Sequence, residues 1–373
     1  MSMILSPTDV LYAYNKIQEA YGSIERIDDF FRMKKIERIN NIPPTLFGIS
    51  HEDDLFQDFS VHPEDMNFRI IQPNHGKFNT LMEMTASFTY EDAPGKELKL
   101  IIQETTTGGV VGLIKMGSPT INSKPRNVWL GKTPDLNIFN KRAIMGFIIV
   151  PAQPFGFNYL GGKLLSLICC SHEVKEMLNK KYDTEMCLFE TTSLYGNIKG
   201  TSQYDGMKPF LRYRGDTESK FLLTLPDSIY HDLNDWFTKR NGGEPIVHKD
   251  ASSRKLMIQT KMISIIKSSL REHYPDKHKG FVDLIKSRQD ITTKKRFYMS
   301  DYGYENTREV LLGETDKLIP SKVNYDKFYL ENMIDWWKRK ASNRYNRLVE
   351  EKSLRTELEI WKSDTMNSID IIR

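Results

Sequence analysis

Phe147-Ile148-Ile149-Val150-Pro151 leads through Phe155-Gly156-Phe157-Asn158-Tyr159-Leu160-Gly161-Gly162 into Lys163-Leu164-Leu165, and this stretch decides the fold. Ala143 to Val150 is the most apolar run in the chain, and Pro151 stops it, which predicts a buried strand. A Gly-rich turn follows (Gly156, Gly161, Gly162), then a helix over about Lys163 to Lys181. A strand that ends at such a turn and enters a helix leaves unpaired backbone N–H groups at the positive end of the helix dipole. Glycine lets an anion come close, so the unit is either a phosphate-binding turn or a plain β-turn-α connection. There is no Gly-x-x-x-x-Gly-Lys-Ser/Thr, which argues against a P-loop, and no Gly-x-G-x-x-Gly dinucleotide fingerprint.

Working outward, Leu98 to Gln103 reads as a strand, Thr105–Gly109 as a hairpin turn and Val110 to Ile114 as the return strand. Gly117 to Asn140 reads as a loop. Glu185–Thr191, Leu211–Tyr213 and Phe221–Leu225 are strand-like, with a loop or short helix at Gly196–Gly206. Residues 1–40 read as helical, with Val10, Tyr12, Tyr14, Ile17 and Tyr21 at roughly helical spacing after Ser6-Pro7. Residues 41–80, punctuated by Pro43-Pro44, Pro63 and Pro73, read as irregular. Helix is expected again at Asp227–Lys239, Arg254–His273 and Phe328–Glu351, and Asn241-Gly242-Gly243-Glu244-Pro245 is the best linker. These signals divide the chain into an N-terminal helical and irregular segment (1–96), an α/β core (97–240) and a helical, basic C-terminal domain (246–373).

The totals fit a globular chain: 373 residues, 39% apolar and 27% charged. No apolar run approaches the ~20 residues of a membrane span, and the first residues lack the layout of a signal peptide. Three cysteines, Cys169, Cys170 and Cys187, are too few and wrongly spaced for a disulfide framework or a zinc site. A cytoplasmic protein with buried thiols, no metal and no membrane partner is the expectation. His172 is expected on a helix surface. The net charge of +4 is unevenly spread, because the segment from Ile246 onward has 26 Lys and Arg against 19 Asp and Glu. There, Trp336-Trp337-Lys338-Arg339-Lys340 with Arg344, and Lys294-Lys295-Arg296-Phe297-Tyr298, interleave bases with aromatics. Such patches suit nucleic-acid phosphates and stacked bases, and equally a packed aromatic helix with snorkelling bases.

The order of elements over 97–227 resembles the GNAT superfamily, in which a central strand splays from its neighbour and the following loop and helix hold the pyrophosphate of acyl-CoA. That resemblance implies a mixed sheet with flanking helices, and acetyl-CoA or another acyl-CoA as donor. The donor would be held by Ile148, Val150, Phe155, Gly156, Asn158, Gly161, Gly162 and Lys163. The family's loop reads Gln/Arg-x-x-Gly-x-Gly/Ala; aligned on Gly161, this chain has Gly156 and Tyr159 at its first two defined positions. Tyr204-Asp205-Gly206-Met207-Lys208-Pro209-Phe210 is similar to the family's Tyr-x-x-x-Gly-Phe region, which implies that Tyr204 donates a proton to the leaving thiolate.

A second resemblance covers about 140–215. Phe147-Ile148-Ile149-Val150-Pro151, Leu164-Leu165-Ser166-Leu167, Leu188-Phe189-Glu190-Thr191-Thr192 and Gly200-Thr201-Ser202-Gln203-Tyr204 look like the DruA-like domain of Druantia phage-defence proteins. The phage Mom-type DNA-modification proteins are a more distant analogue. These likenesses imply a setting of phage–host conflict and DNA or a nucleotide base as acceptor. Glu190, at the end of a core strand, would face the cleft and accept a proton from the amine. Tyr195, Lys199 and Gln203 would contact substrate. The alternative is a catalytically silent fold of this kind that binds nucleic acid or protein.

Overall fold

The computed structural model describes residues 3–39, 52–87, 95–218, 223–247, 255–292, 294–362, 365 and 368–369. In chain order its elements begin with helices α1 (Pro7–Gly22) and α2 (Ile27–Ile39). Strand β1 (Phe68–Ile71), helix α3 (His75–Thr85) and strands β2 (Glu97–Glu104) and β3 (Val110–Gly117) follow. Next come α4 (Lys124–Leu130), α5 (Leu136–Arg142), β4 (Ala143–Pro151), α6 (Phe155–Asn158), α7 (Gly161–Cys169) and α8 (His172–Tyr182). Then β5 (Leu188–Ser193), α9 (Leu194–Ile198) and β6 (Arg212–Glu218) precede α10 (Asp227–Arg240), α11 (Lys255–His273) and α12 (Pro275–Asp290). Strand β7 (Lys294–Ser300) and helices α13 (Thr307–Leu311) and α14 (Leu330–Glu350) complete the order. None of the helices among the described residues is long and apolar enough to cross a membrane.

Two compact units emerge, and both are discontinuous in sequence. One takes residues 1–41 and 218–294; the other takes 42–217 and 295–371. This differs from the three consecutive segments read from sequence. Asn241–Pro245 is an exposed loop inside the helical unit rather than a boundary, because Gly and Pro mark any turn and not only linkers.

In the helical unit, Ser6 caps α1 by accepting from the Asp9 N–H at 3.2 Å, with Pro7 in the first turn. Val10, Ala13, Ile17, Ala20 and Tyr21 form its buried stripe, whereas Tyr12, expected with them, is 41% exposed. Gln259 of α11 is fully buried. Its Nε2 donates to the Tyr21 hydroxyl at 2.8 Å and the Leu223 carbonyl at 2.7 Å, and its Oε1 accepts from the Leu225 N–H at 2.8 Å. That side chain satisfies the backbone a strand partner would have served, so Leu223–Leu225 is coil and not the expected strand. Phe221, Leu222 and Arg254 lie outside the described residues, as do Pro43 and Pro44.

The other unit is a mixed seven-stranded sheet in the order β1-β2-β3-β4-β5-β7-β6, covered by helices. The expected hairpin is present and longer than expected: the Glu104 carboxylate accepts from the N–H groups of Thr106 and Thr107 at 2.9 and 2.8 Å, which closes its turn. Residues 41–80, read as irregular, carry β1 and α3, the latter capped by Asn74 accepting from the Lys77 N–H at 2.8 Å. Gly117–Asn140, read as a loop, holds α4 and most of α5. The single helix expected over 163–181 is two, because the Ser171 hydroxyl accepts from the Val174 N–H and starts α8 anew. The C-terminal segment is not purely helical, since β7 enters the sheet beside β5.

One local feature shapes the sheet. β4 runs parallel to β5 only from Ala143↔Leu188 to Gly146↔Thr191, while on its other side it stays paired with β3 as far as Pro151. The β3–β4 register shifts between Lys115 (opposite Ile148) and Met116 (opposite Gly146), so Phe147 is an extra residue. A bulge bends its strand and strengthens the twist, and this one falls just where β4 and β5 part. A side chain at Gly146 would crowd the fork: a Cβ would lie 2.9 Å from Ile149 Cδ1 and 3.0 Å from Phe189 Cζ.

Candidate functional site at the fork between β4 and β5

The fork is lined from three sides. Thr191 Oγ1 donates to the Gly146 carbonyl at 3.0 Å, tying the last paired residues together. The Tyr204 side chain, 6% exposed, comes in from the loop after α9 and hydrogen-bonds with the side chains of Thr191 and Gln203. Its ring packs edge-on against Tyr298 of β7, with centroids 5.2 Å apart. Burial pushes the phenol up to about 12, against the pull of those hydrogen bonds, so it carries its proton throughout the neutral range.

Beyond the fork, where β4 has lost β5, the side chain of Gln203 takes the place of a strand. Its Nε2 donates to the Ile149 carbonyl at 3.2 Å, and its Oε1 lies directly against Gly162 at the start of α7. Lys163 Nζ donates to the carbonyls of Gln203 (3.2 Å) and Asp205, fixing that loop from below. Asp205 in turn accepts from the Tyr298 hydroxyl and from Arg296 Nη1, each at 2.7 Å. Arg296 and charge-stabilising hydrogen bonds outweigh burial and hold its carboxyl below the ordinary value.

The glycines of the turn serve packing in this conformation. A Cβ on Gly161 would lie 2.9 Å from both Phe155 Cδ1 and Pro151 Cβ, and one on Gly156 would lie 2.7 Å from Pro151 Cγ. Phe155, Ile148 and Asn158 are buried and Val150 is half-buried. The turn is therefore filled by its own side chains and by Gln203, where the sequence predicts an open anion cradle. Leu160, at the positive φ of 54°, caps the start of α7.

Glu190 is not in the fork. Successive side chains of a strand point to opposite faces, so with Thr191 at the fork, Glu190 faces α4 and α5. There it is fully buried, with Arg126 Nη1 donating to its two carboxylate oxygens at 2.9 and 3.2 Å. The other arm of Arg126 donates to the carbonyls of Thr120 and Ile121, and its guanidinium lies 4.1 Å from the Phe139 ring centroid. Burial pushes the Glu190 carboxyl up to about 7, against the pull of Arg126. The expectation of a cleft-facing base is corrected: this carboxylate is the anchor of the 118–130 segment. Tyr195 and Lys199 pair with each other on and after α9 (5.9 Å from ammonium to ring centroid), with Lys199 exposed.

His172 is corrected as well. It is 4% exposed, its ring 4.1 Å from that of Tyr325 and 4.9 Å from that of Tyr329, with Nε2 at 2.9 Å from the Tyr325 carbonyl. Cys169, at the end of α7, and Lys175, on α8 with His172, are buried as well.

The two basic–aromatic clusters separate. Lys294 is exposed at the start of β7, Lys295 is half-buried, and Arg296 joins Asp205. On α14, Trp337 is buried and donates from Nε1 to the Tyr159 carbonyl at 2.9 Å, which turns Arg339 and Lys340 outward. Arg344 lies 4.5 Å from the Phe157 ring centroid, and Arg355, which the sequence reading missed, lies 3.9 Å from it. Bases assigned to nucleic acid and a loop assigned to a coenzyme thus meet. No pattern on one element could have revealed this, since it depends on how α14 packs on α7. Among the described residues no group of three or more His, Cys, Asp or Glu is placed to hold a metal ion.

A mixed sheet forked between two parallel strands, with a buried phenol beside the fork, defines an α/β domain. A protein-family model described as Druantia protein DruA matches residues 56–203, from the approach to β1 as far as Gln203. The Druantia protein DruA of Escherichia coli (strain UMEA 4076-1) is 23% identical over 175 residues, which is 43% of this chain and 43% of that protein. The chain thus matches less than half the length of this curated relative. No solved structure matches it significantly.

Proposed function

We propose that the chain is a GNAT-like N-acyltransferase of the Druantia type, with the fork as its reaction centre and an amine of DNA or a nucleotide base as acceptor. The observation that carries this reading is the buried Tyr204 hydroxyl at the point where β4 and β5 part. A splayed central pair is what the GNAT resemblance calls for, and a phenol held protonated suits a donor to a leaving thiolate. The bulge at Phe147 frees the backbone of Ile148 to Val150 on the fork side. Acetyl-CoA or another acyl-CoA is the donor this geometry suggests. As it stands the groove is occupied by the Gln203 carboxamide, so donor entry requires that side chain to swing away from Ile149 and Gly162. The setting in phage–host conflict rests on the likeness to DruA.

That same carboxamide favours a second reading, a silent fold that binds nucleic acid or protein and keeps its cleft shut. Mass spectrometry of nucleosides from DNA of cells expressing the protein separates the two. A new acylated base, lost with Tyr204→Phe by about 10²–10⁴-fold in kcat at near-constant KM, is the expected result. Unmodified DNA, together with no heat on titrating acetyl-CoA into the wild type or Gln203→Gly, would leave the binding reading.

A further inference from the structure

The geometry points to a nucleic-acid phosphate track along Lys340, Arg344, Arg347 and Arg355, passing beside the fork loop at Phe157; it rests on the reading of nucleic acid as acceptor. Arg344 and Arg355 share one ring: their guanidinium carbons lie 4.5 and 3.9 Å from the Phe157 centroid. Arg344 Nε also donates to the Phe157 carbonyl at 3.4 Å. Asn158 holds the backbone of Arg355 from both sides, donating to its carbonyl at 2.6 Å and accepting from its N–H at 3.2 Å. Held over Phe157, the two guanidinium groups keep donor edges that match two oxygens of a phosphate.

Like charges held this close repel, and little on the chain offsets them. Arg347 has Glu351 at 3.9 Å, an exposed pair, and Arg355 has Glu359 at 3.3 Å, with Glu359 half-buried. Among the described residues Lys338, Arg339, Lys340 and Arg344 have no ion-pair partner. The repulsion is felt: burial first, then Arg347 and Arg355, hold Arg344 below its ordinary value against the pull of Glu351, and Lys340 adds to the burial that lowers Lys163 against the pull of Asp205. A cluster with more cations than carboxylates, built on one aromatic ring, is stabilised by a polyanion that neutralises several charges at once.

A polymer fits better than a mononucleotide. Lys340, Arg344 and Arg347 follow at i, i+4 and i+7 on one helix face. At 1.5 Å per residue they span roughly 10 Å, the distance covered by about three phosphates of a DNA strand at 3.4 Å each.

Fluorescence anisotropy with labelled single-stranded and duplex oligonucleotides, between about 50 and 200 mM salt, tests the track. Arg344→Ala/Arg355→Ala is expected to weaken binding at least tenfold and to flatten the log–log salt slope by roughly two, at about 0.9 per lost phosphate contact. Lys340→Glu, at an exposed position, guards against misfolding and is expected to weaken binding with an unchanged melting curve. Unchanged affinity and slope in both variants would overturn the track. So would variants that lose acetyl-CoA binding by calorimetry yet keep the oligonucleotide, since the cluster would then serve a coenzyme phosphate. Loss of oligonucleotide binding in the variants, alongside unmodified DNA from every protein, supports the track and removes only the transferase reading.

Discussion

At the scale of single residues, the buried titratable groups divide by what surrounds them. His172 stacks on Tyr325 and Tyr329 beside Lys175, and its Nδ1 has no hydrogen-bond partner. Burial first, and then Lys175, lower the imidazole to about 4, with the Tyr325 carbonyl, Glu176 and Asp326 opposing. The unfolded chain therefore binds the extra proton more readily than the folded one, and stability rises with pH across that window. Acidification from about pH 6.5 to 4 is expected to remove about 2 kcal/mol through this residue, after allowance for solvent at its edge. His172→Phe should abolish that part of the pH dependence; urea titrations of both proteins at pH 7 and pH 4.5 measure it. Glu190 is a different case. Glu190→Ala leaves Arg126 charged and buried, and a loss of about 3–5 kcal/mol is expected by the same titrations at pH 7. A neutral outcome would mean that the 118–130 segment needs no such anchor. Neither role was legible in the sequence, since which face of β5 carries Glu190 depends on register, and a shift of one residue exchanges the faces.

At the scale of elements, much was legible where pattern and local chemistry agree. The hairpin, the apolar β4 and the buried Cys169 and Cys170 followed from alternation and from a run too apolar for the surface. The misses have physical causes. β1 has only four residues, α4 begins at a Ser whose side chain makes no capping bond, and α8 starts inside an apolar helical pattern that gives no sign of Ser171 as a cap. The Phe147 bulge was invisible, because an extra residue in an all-apolar strand changes no periodicity. Its partner in the fork gives an element-scale prediction. Gly146→Ala pushes a methyl against Ile149 and Phe189, and should cost about 1–3 kcal/mol. Thermal melting of the two proteins measures it. Equal melting of wild type and Gly146→Ala would show that the fork has slack.

On the scale of the whole molecule, the chain divides into a helical unit and a sheet unit, each built from separated stretches, and composition changes along the chain do not report which distant strands pair. The sheet unit has its own hydrophobic clusters, running from Phe56 to Tyr345, from Leu55 to Ile360 and from Leu130 to Leu311, and all their members belong to it. A shortened chain of residues 52–217 joined to 295–362 by a flexible linker is therefore expected to unfold cooperatively, since a longer or shorter loop changes closure entropy only slowly. Loss of the cooperative transition in circular dichroism would show that those clusters are insufficient.

The place of β7 in the sheet has a consequence for how the chain is made. β5 ends at Ser193 and its antiparallel neighbour begins at Lys294, so roughly a hundred residues must leave the ribosome before that pairing exists. At about 5–20 residues per second the open flank of β5 waits for some 5–20 s. An unpaired strand is a template for the wrong partner, and a charge pointing inward is one of the ways natural sheets discourage such pairing. Glu190, in the middle of β5, can be tolerated in a sheet only where a guanidinium already waits for it. Arg126 is translated earlier, so the nascent chain can neutralise Glu190 before β7 exists, and the charge deters only pairings that would keep α4 from docking on β5.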